Sequence, residues 1–113
     1  MALDATLDII SKLNEVYSRL NVMIIDFSPK TPEERQQLRL LLSKRDELRD
    51  TIREALSKGF KQDAEELQKA SIDLTAAAKE LDKVLDTSET VKIAISVAAK
   101  VIGIVAQVIA LVA

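Results

Sequence analysis

Residues 91–113, VKIAISVAAKVIGIVAQVIALVA, decide how this chain folds. Eleven of these 23 residues are Ile or Val, and Val91-Lys92-Ile93-Ala94-Ile95-Ser96-Val97 alternates as a strand would. The polar side chains argue otherwise. Lys92, Ser96, Lys100 and Gln107, with Gly103 added, recur at spacings of four, four, three and four, which places them along one line of a helix. Six alanines favour the same state. A helix over about 89–112 is therefore expected, apolar nearly all round except for the stripe Lys92, Ser96, Lys100 and Gln107. If it were exposed, this segment would be expected to aggregate.

A peripheral bundle helix needs only about a third of its circumference apolar. The surplus here has four destinations: the centre of a bundle, a second copy of the chain, a bilayer, or β-pairing. Twenty-three residues suffice to cross a hydrocarbon core of about 30 Å. The twelve Ile, Val and Leu favour insertion by roughly 5 kcal/mol in total, while Lys100 alone costs about 2.5–3.5 kcal/mol near the bilayer centre. An isolated helix would insert marginally, and one already packed in a bundle has little reason to leave. The residues expected to form a self-association or membrane face are Ile93, Val97, Val101, Ile104, Val105, Val108, Ile109 and Val112. Structurally, Lys92 and Lys100 keep the opposite line wet, their stems lying along apolar neighbours. Functionally, they would meet lipid phosphates once the helix is released.

Upstream, breakers divide the chain into three further helices. The first is expected from about Asp4, as N-cap, to Phe27. Its inward stripe is Leu3, Ile10, Leu13, Tyr17, Leu20, Ile24 and Phe27, widened by Leu7, Val16 and Met23. Ser28-Pro29-Lys30 ends it. Thr31-Pro32-Glu33-Glu34 then combines a cap, a first-turn proline and a capping box, and is the strongest local signal in the chain. The second helix runs over 32–58 with Leu38, Leu41, Leu48, Ile52, Ala55 and Leu56 inward. Its other face alternates charges from Lys44 through Glu54. Gly59 is placed as a left-handed C′ residue, with the Phe60 ring over the last turn. Asp63-Ala64-Glu65-Glu66 reads as another capping box. The third helix runs over 63–86 with Leu67, Ala70, Leu74, Ala77, Ala78, Leu81, Val84 and Leu85 on one face, and Thr87 or Ser88 caps the fourth. Short breaks between helices of matched length predict one all-α domain over 1–113, a four-helix bundle with up-down-up-down topology.

Composition agrees. The chain is 48% hydrophobic but only 3% aromatic, so its core is built from Leu, Ile, Val and Ala, and two Gly with two Pro leave helices largely unbroken. A net charge of −2 offers no electrostatic case for nucleic acid. Without Cys or His there is no thiol chemistry, no structural zinc and no usual general base. The N-terminus lacks the pattern of a secretory signal, and a cytoplasmic location is expected, membrane-associated if the last helix is released.

Catalytic, cofactor-binding and metal-binding sites are all expected to be absent. Glu33-Glu34 and Glu65-Glu66 sit in first turns, where carboxylates complement the helix dipole. Asp82 with Asp86 is the nearest approach to a cation cluster, and reads as two solvated carboxylates. No glycine-rich phosphate loop exists, and no His is present to activate a Ser or Thr. Tyr17 reads as a core residue with a bonded hydroxyl.

Two functions follow. The first is a non-enzymatic interaction module that self-associates through its apolar C-terminal helix, most simply as a dimer, with no small-molecule ligand or cofactor. The second is a membrane-active bundle. In outline the chain resembles small helical cell-death or pore-forming domains, which also join amphipathic helices to an apolar one. That architectural resemblance implies a last helix that leaves the bundle for a bilayer.

Overall fold

The computed structural model describes residues 2–60, 64–81 and 88–109, with side chains over 7–60, 65–81 and 91–109. It contains four helices: α1 (Ala2–Asp26), α2 (Pro32–Lys58), α3 (Ala64–Leu81) and α4 (Ser88–Val108). Asp4 therefore lies in the first turn of α1 and is not its N-cap, because the helix begins two residues earlier. At α2 the box forms as expected. The Glu34 amide donates to Thr31 Oγ1 at 3.0 Å, and the Thr31 amide donates back to Glu34 Oε1 at 3.2 Å. Asp63, Val84, Leu85, Asp82, Asp86, Thr87 and Val112 lie outside the described residues, whereas Ser88 is the first residue of α4.

Gly59 ends α2 with φ 76° and ψ −172°, its amide donating to the Ala55 carbonyl at 2.8 Å. The positive φ is the expected one, but the extended ψ takes the residue out of the left-handed helical well into a region that is essentially glycine-only. A Cβ at Gly59 would meet no other atom within 4 Å. Gly59→Ala is thus expected to cost about 1–3 kcal/mol through backbone strain alone, read as a lower midpoint in urea unfolding with an unchanged slope.

The buried seam of each helix follows a repeat of three and four. On α1 it is Ile9, Leu13, Val16, Leu20, Met23 and Phe27. Because α1 offers apolar residues at both Ile9 and Ile10, the stripe turns by one position from the expected one. Ile10, Tyr17 and Ile24 fall on its half-buried shoulder, and Leu7 is 59% exposed. The Tyr17 ring packs against the core, but no hydrogen bond engages its hydroxyl among the described residues. On α2, Leu41, Leu48 and Ala55 are buried one heptad apart, with Leu38 and Ile52 half-buried. Leu56, expected inward, is 64% exposed, since it follows Ala55 around the helix and away from the seam. On α3, Leu67, Ala70, Leu74, Ala77, Ala78 and Leu81 are buried as expected.

Directions alternate along the chain, and α1–α2 and α3–α4 are antiparallel neighbours. The four helices nevertheless do not follow one another around the bundle. The strongest packing joins α1 to α3 and α2 to α4, whereas α2 and α3 do not pack on each other among the described residues. Both long-range pairs are parallel. Ser71 donates to the Asp8 carboxylate, while Met23 and Leu81 border one groove further along α1 and α3. An antiparallel bridge between Phe60 and Ile109 joins the ends of α2 and α4. The chain is thus two helical hairpins laid side by side. Since α1 and α4 touch across the middle and α2 and α3 do not, the section is a flattened rhombus, consistent with extents of 46 × 28 × 16 Å. One broad face is centred on α1 and the other on α4.

Candidate functional site

On α4 the inward line is Val91, Ala94, Ala98, Val101, Val105 and Val108, all buried, with Val97 and Ile109 beside it. This line is built of alanine and valine alone, which gives the seam a low profile, so the other helices can approach closely. Of the residues expected to form an interaction face, Val97, Val101, Val105, Val108 and Ile109 are thus inside the chain's own core. Ile104 is half-buried against that core, and Ile93 is exposed. The chain itself buries the inward line of the helix, and Ile95, Ile102 and Ile104 pack half-buried beside it.

What remains outward is the expected stripe and its neighbours: Lys92, Ser96, Ala99, Lys100, Gly103, Ala106 and Gln107 are exposed. Lys100 reaches Glu80 of α3 at 3.5 Å, an exposed pair of little energetic weight. Beside Lys100, the outward residues Ser96, Ala99, Gly103 and Ala106 carry only small side chains. Gly103 stands among them, and a Cβ there would meet no other atom within 4 Å. Among the described residues, nothing packs where a side chain at this position would stand.

The outward face of α1 escaped the sequence reading. Leu7, Ser11, Asn14, Ser18, Val22 and Ile25 form its outermost line, all exposed and none charged. Val22 is 56% and Ile25 80% exposed. The signal was present in the residue types: a peripheral helix normally turns charges to water, and this one turns none along that line. The charges of α1 flank this line, where Glu15 pairs with Lys12 at 3.5 Å and with Arg19 at 3.4 Å, and α2 carries its own surface pairs, among them Lys44–Glu47 at 3.2 Å and Lys58–Glu54 at 3.0 Å. The α1–α2 seam is closed by Arg45, whose guanidinium donates to Asn21 Oδ1 at 2.8 Å and to Asp46 at 2.9 Å.

Among the described residues, two grooves adjoin these faces. One of about 610 Å³ runs beside the α1 face, between Ser11, Asn14, Glu15, Ser18, Arg19 and Val22 on one side and Leu81 on the other. The second, of about 470 Å³, separates α3 from the C-terminal half of α4 and is lined by Glu66, Lys69, Asp73, Ile104 and Gln107 among others. Its charges are of both signs, and no group of three or more carboxylates fit to hold a metal occurs among the described residues. Neither groove assembles a nucleophile with a base. No known protein family, characterised protein or solved structure matches the chain.

Proposed function

We propose that this chain is a non-enzymatic interaction module that self-associates through the outward face of α4. The observation that carries this reading is Gly103. A glycine in the interior of an exposed helix is about 1 kcal/mol less favourable than alanine. It brings the bundle no packing advantage, because the space beside it is open. Gly103 with Ser96, Ala99 and Ala106, edged by Lys100 and Gln107, lets the backbone of a second helix come close, as small residues do where helices pack tightly.

The test is the absolute mass of the protein in detergent-free buffer, by light scattering on a sizing column, over a range of concentrations. A mass above 12.5 kDa that rises with concentration is expected. Gly103→Ala sharpens the test because its two effects have opposite signs. The folded chain gains about 1 kcal/mol, seen as a melting temperature a few degrees higher in dilute solution. Self-association weakens, because the added methyl group holds the second backbone off. A strictly monomeric protein, or an alanine variant that assembles as tightly as its parent, would overturn the reading. Ile104→Glu is a poorer probe, since Ile104 also packs on the core.

One observation favours a second reading, entry into a bilayer. Val91–Val108 is long and apolar enough to cross a membrane, and 39% of that window is buried within the bundle. Leakage of dye from liposomes under mild destabilisation supports this reading, and intact liposomes under the same conditions count against it.

A further inference from the structure

We propose that two copies of this chain exchange helical hairpins. The α3–α4 hairpin of one copy seats on the α1–α2 hairpin of the other, and the reverse, through the seams that close the single chain. What covers each opened seam is therefore fixed by the structure: the same two helices, taken from a second copy. The exchange leaves the outward face of α4 in solvent and stands apart from any contact made there.

The order of helices around the bundle permits it. The strongest packing joins α1 to α3 and α2 to α4, and with the touch of α1 on α4 all of it lies between the hairpins. A second copy restores these contacts in full. Helices α2 and α3, which follow one another in the chain, do not pack on each other among the described residues, so straightening their connection parts no surface between them. No polar or charged side chain is buried in the described core, and the seams close again without a charge to match. Exchange of an identical element in this reciprocal way needs no new surface and stops at two copies.

The connection is where the chain opens. Only residues 59–63 lie between Lys58, the end of α2, and Ala64, the start of α3, yet they join helices at opposite corners of the section. Phe60 is tied by its bridge to Ile109 at the end of α4. Immediately before it, Gly59 holds φ 76° with ψ −172°, a backbone conformation essentially closed to other residues. A short connection constrained in this way favours exchange, because a straightened path between two copies releases the constraint.

The chain has no cysteine, so engineered ones report on the seam alone. Ser71 of α3 donates to the Asp8 carboxylate of α1. An Asp8→Cys variant and a Ser71→Cys variant are unfolded together in urea, refolded at high concentration and oxidised. A disulfide-linked dimer on a non-reducing gel is expected, and neither variant treated alone gives one. A chain carrying both substitutions, refolded dilute, is expected to close the bond within itself, which establishes that the site admits a disulfide. Gly59→Ala is expected to raise the yield of dimer about tenfold, because alanine disfavours the closed turn and not the straightened connection. Gly103→Glu is expected to leave the yield unchanged, since that position faces away from the seam. A further measurement needs no cysteine. The dimer of the parent chain, isolated on a sizing column, is expected to persist on dilution until the chains unfold, whereas copies held by their outward faces separate at once. Refolding that gives only monomer, a missing cross-link between chains when the doubly substituted chain closes its own, or a dimer that separates on dilution overturns the exchange. Self-association through the outward face of α4 is then decided by Gly103→Ala alone.

Discussion

Val101→Asp is expected to unfold the chain. Val101 is fully buried in the middle of the α4 seam, among side chains that offer a carboxylate no donor, as no charged or polar residue is buried in the described core. An ionised aspartate there forfeits its hydration without a partner. The alternative is to protonate it, holding its pKa several units above the usual value of about 3.9, at about 1.4 kcal/mol per unit. Lost valine packing adds about 1–2 kcal/mol. Together these approach the whole stability of a small domain, roughly 5–15 kcal/mol. The far-ultraviolet circular-dichroism melt is the measurement, and loss of the cooperative transition at pH 7 is the expected result. A variant that melts within a few degrees of its parent would show that α4 does not seat this line in the core.

Gly103→Glu, two residues further along, is expected to do the opposite. The position is exposed with free space beside it, and glutamate is the better helix former by nearly 1 kcal/mol. The fold is kept or slightly strengthened. What it removes is the contact between copies, because a solvated anion now occupies the line where a second backbone must approach. A loss of tenfold or more in association is expected, and sedimentation at several concentrations measures it. Set side by side, the two variants separate what α4 does for its own chain from what it does for a neighbour.

Much of the local structure was legible in the residues. Thr31 and Glu34 signal their own hydrogen bonds, because both partners lie within one turn. Gly59 signals a positive φ, since few other residues tolerate one. The line from Lys92 to Gln107 marks the wet side of α4, because four polar side chains on one line leave only one way to face them. The order of helices around the bundle was not legible. A short connection dictates that direction reverses, and says nothing about which later helix fills the adjoining corner. The packing of α1 on α3 and of α2 on α4 depends on the complementary shapes of whole seams.

The phase of α1 was missed for a related reason. Ile9 and Ile10 are equally apolar, so hydropathy gives two stripes, and contact with α2 and α3 selects between them. On α4 the excess of Val and Ile hides which of them point inward. A face drawn from hydropathy alone therefore gathered core residues such as Val101 and Val105, and passed over the smaller ones that remain outside. The uncharged line on α1 shows the reverse failing. Ser11, Asn14 and Ser18 look like ordinary surface residues, and only their alignment with exposed Leu7, Val22 and Ile25 gives them meaning.

The pairing of hairpins has a kinetic consequence. The α1–α3 seam is made by residues far apart in the chain, as Asp8 and Ser71 are, 63 positions from each other. Each hairpin gains its own turn contacts early and locally, but neither buries its seam until it meets the other across a large loop. Helical proteins dominated by neighbouring contacts fold in microseconds to milliseconds, and non-local pairing slows the search. Docking of two half-formed hairpins is then the slow step. Until it happens, the valine and alanine line of α4 stands bare, and that interval is when a freshly synthesised chain is most exposed to the wrong neighbour.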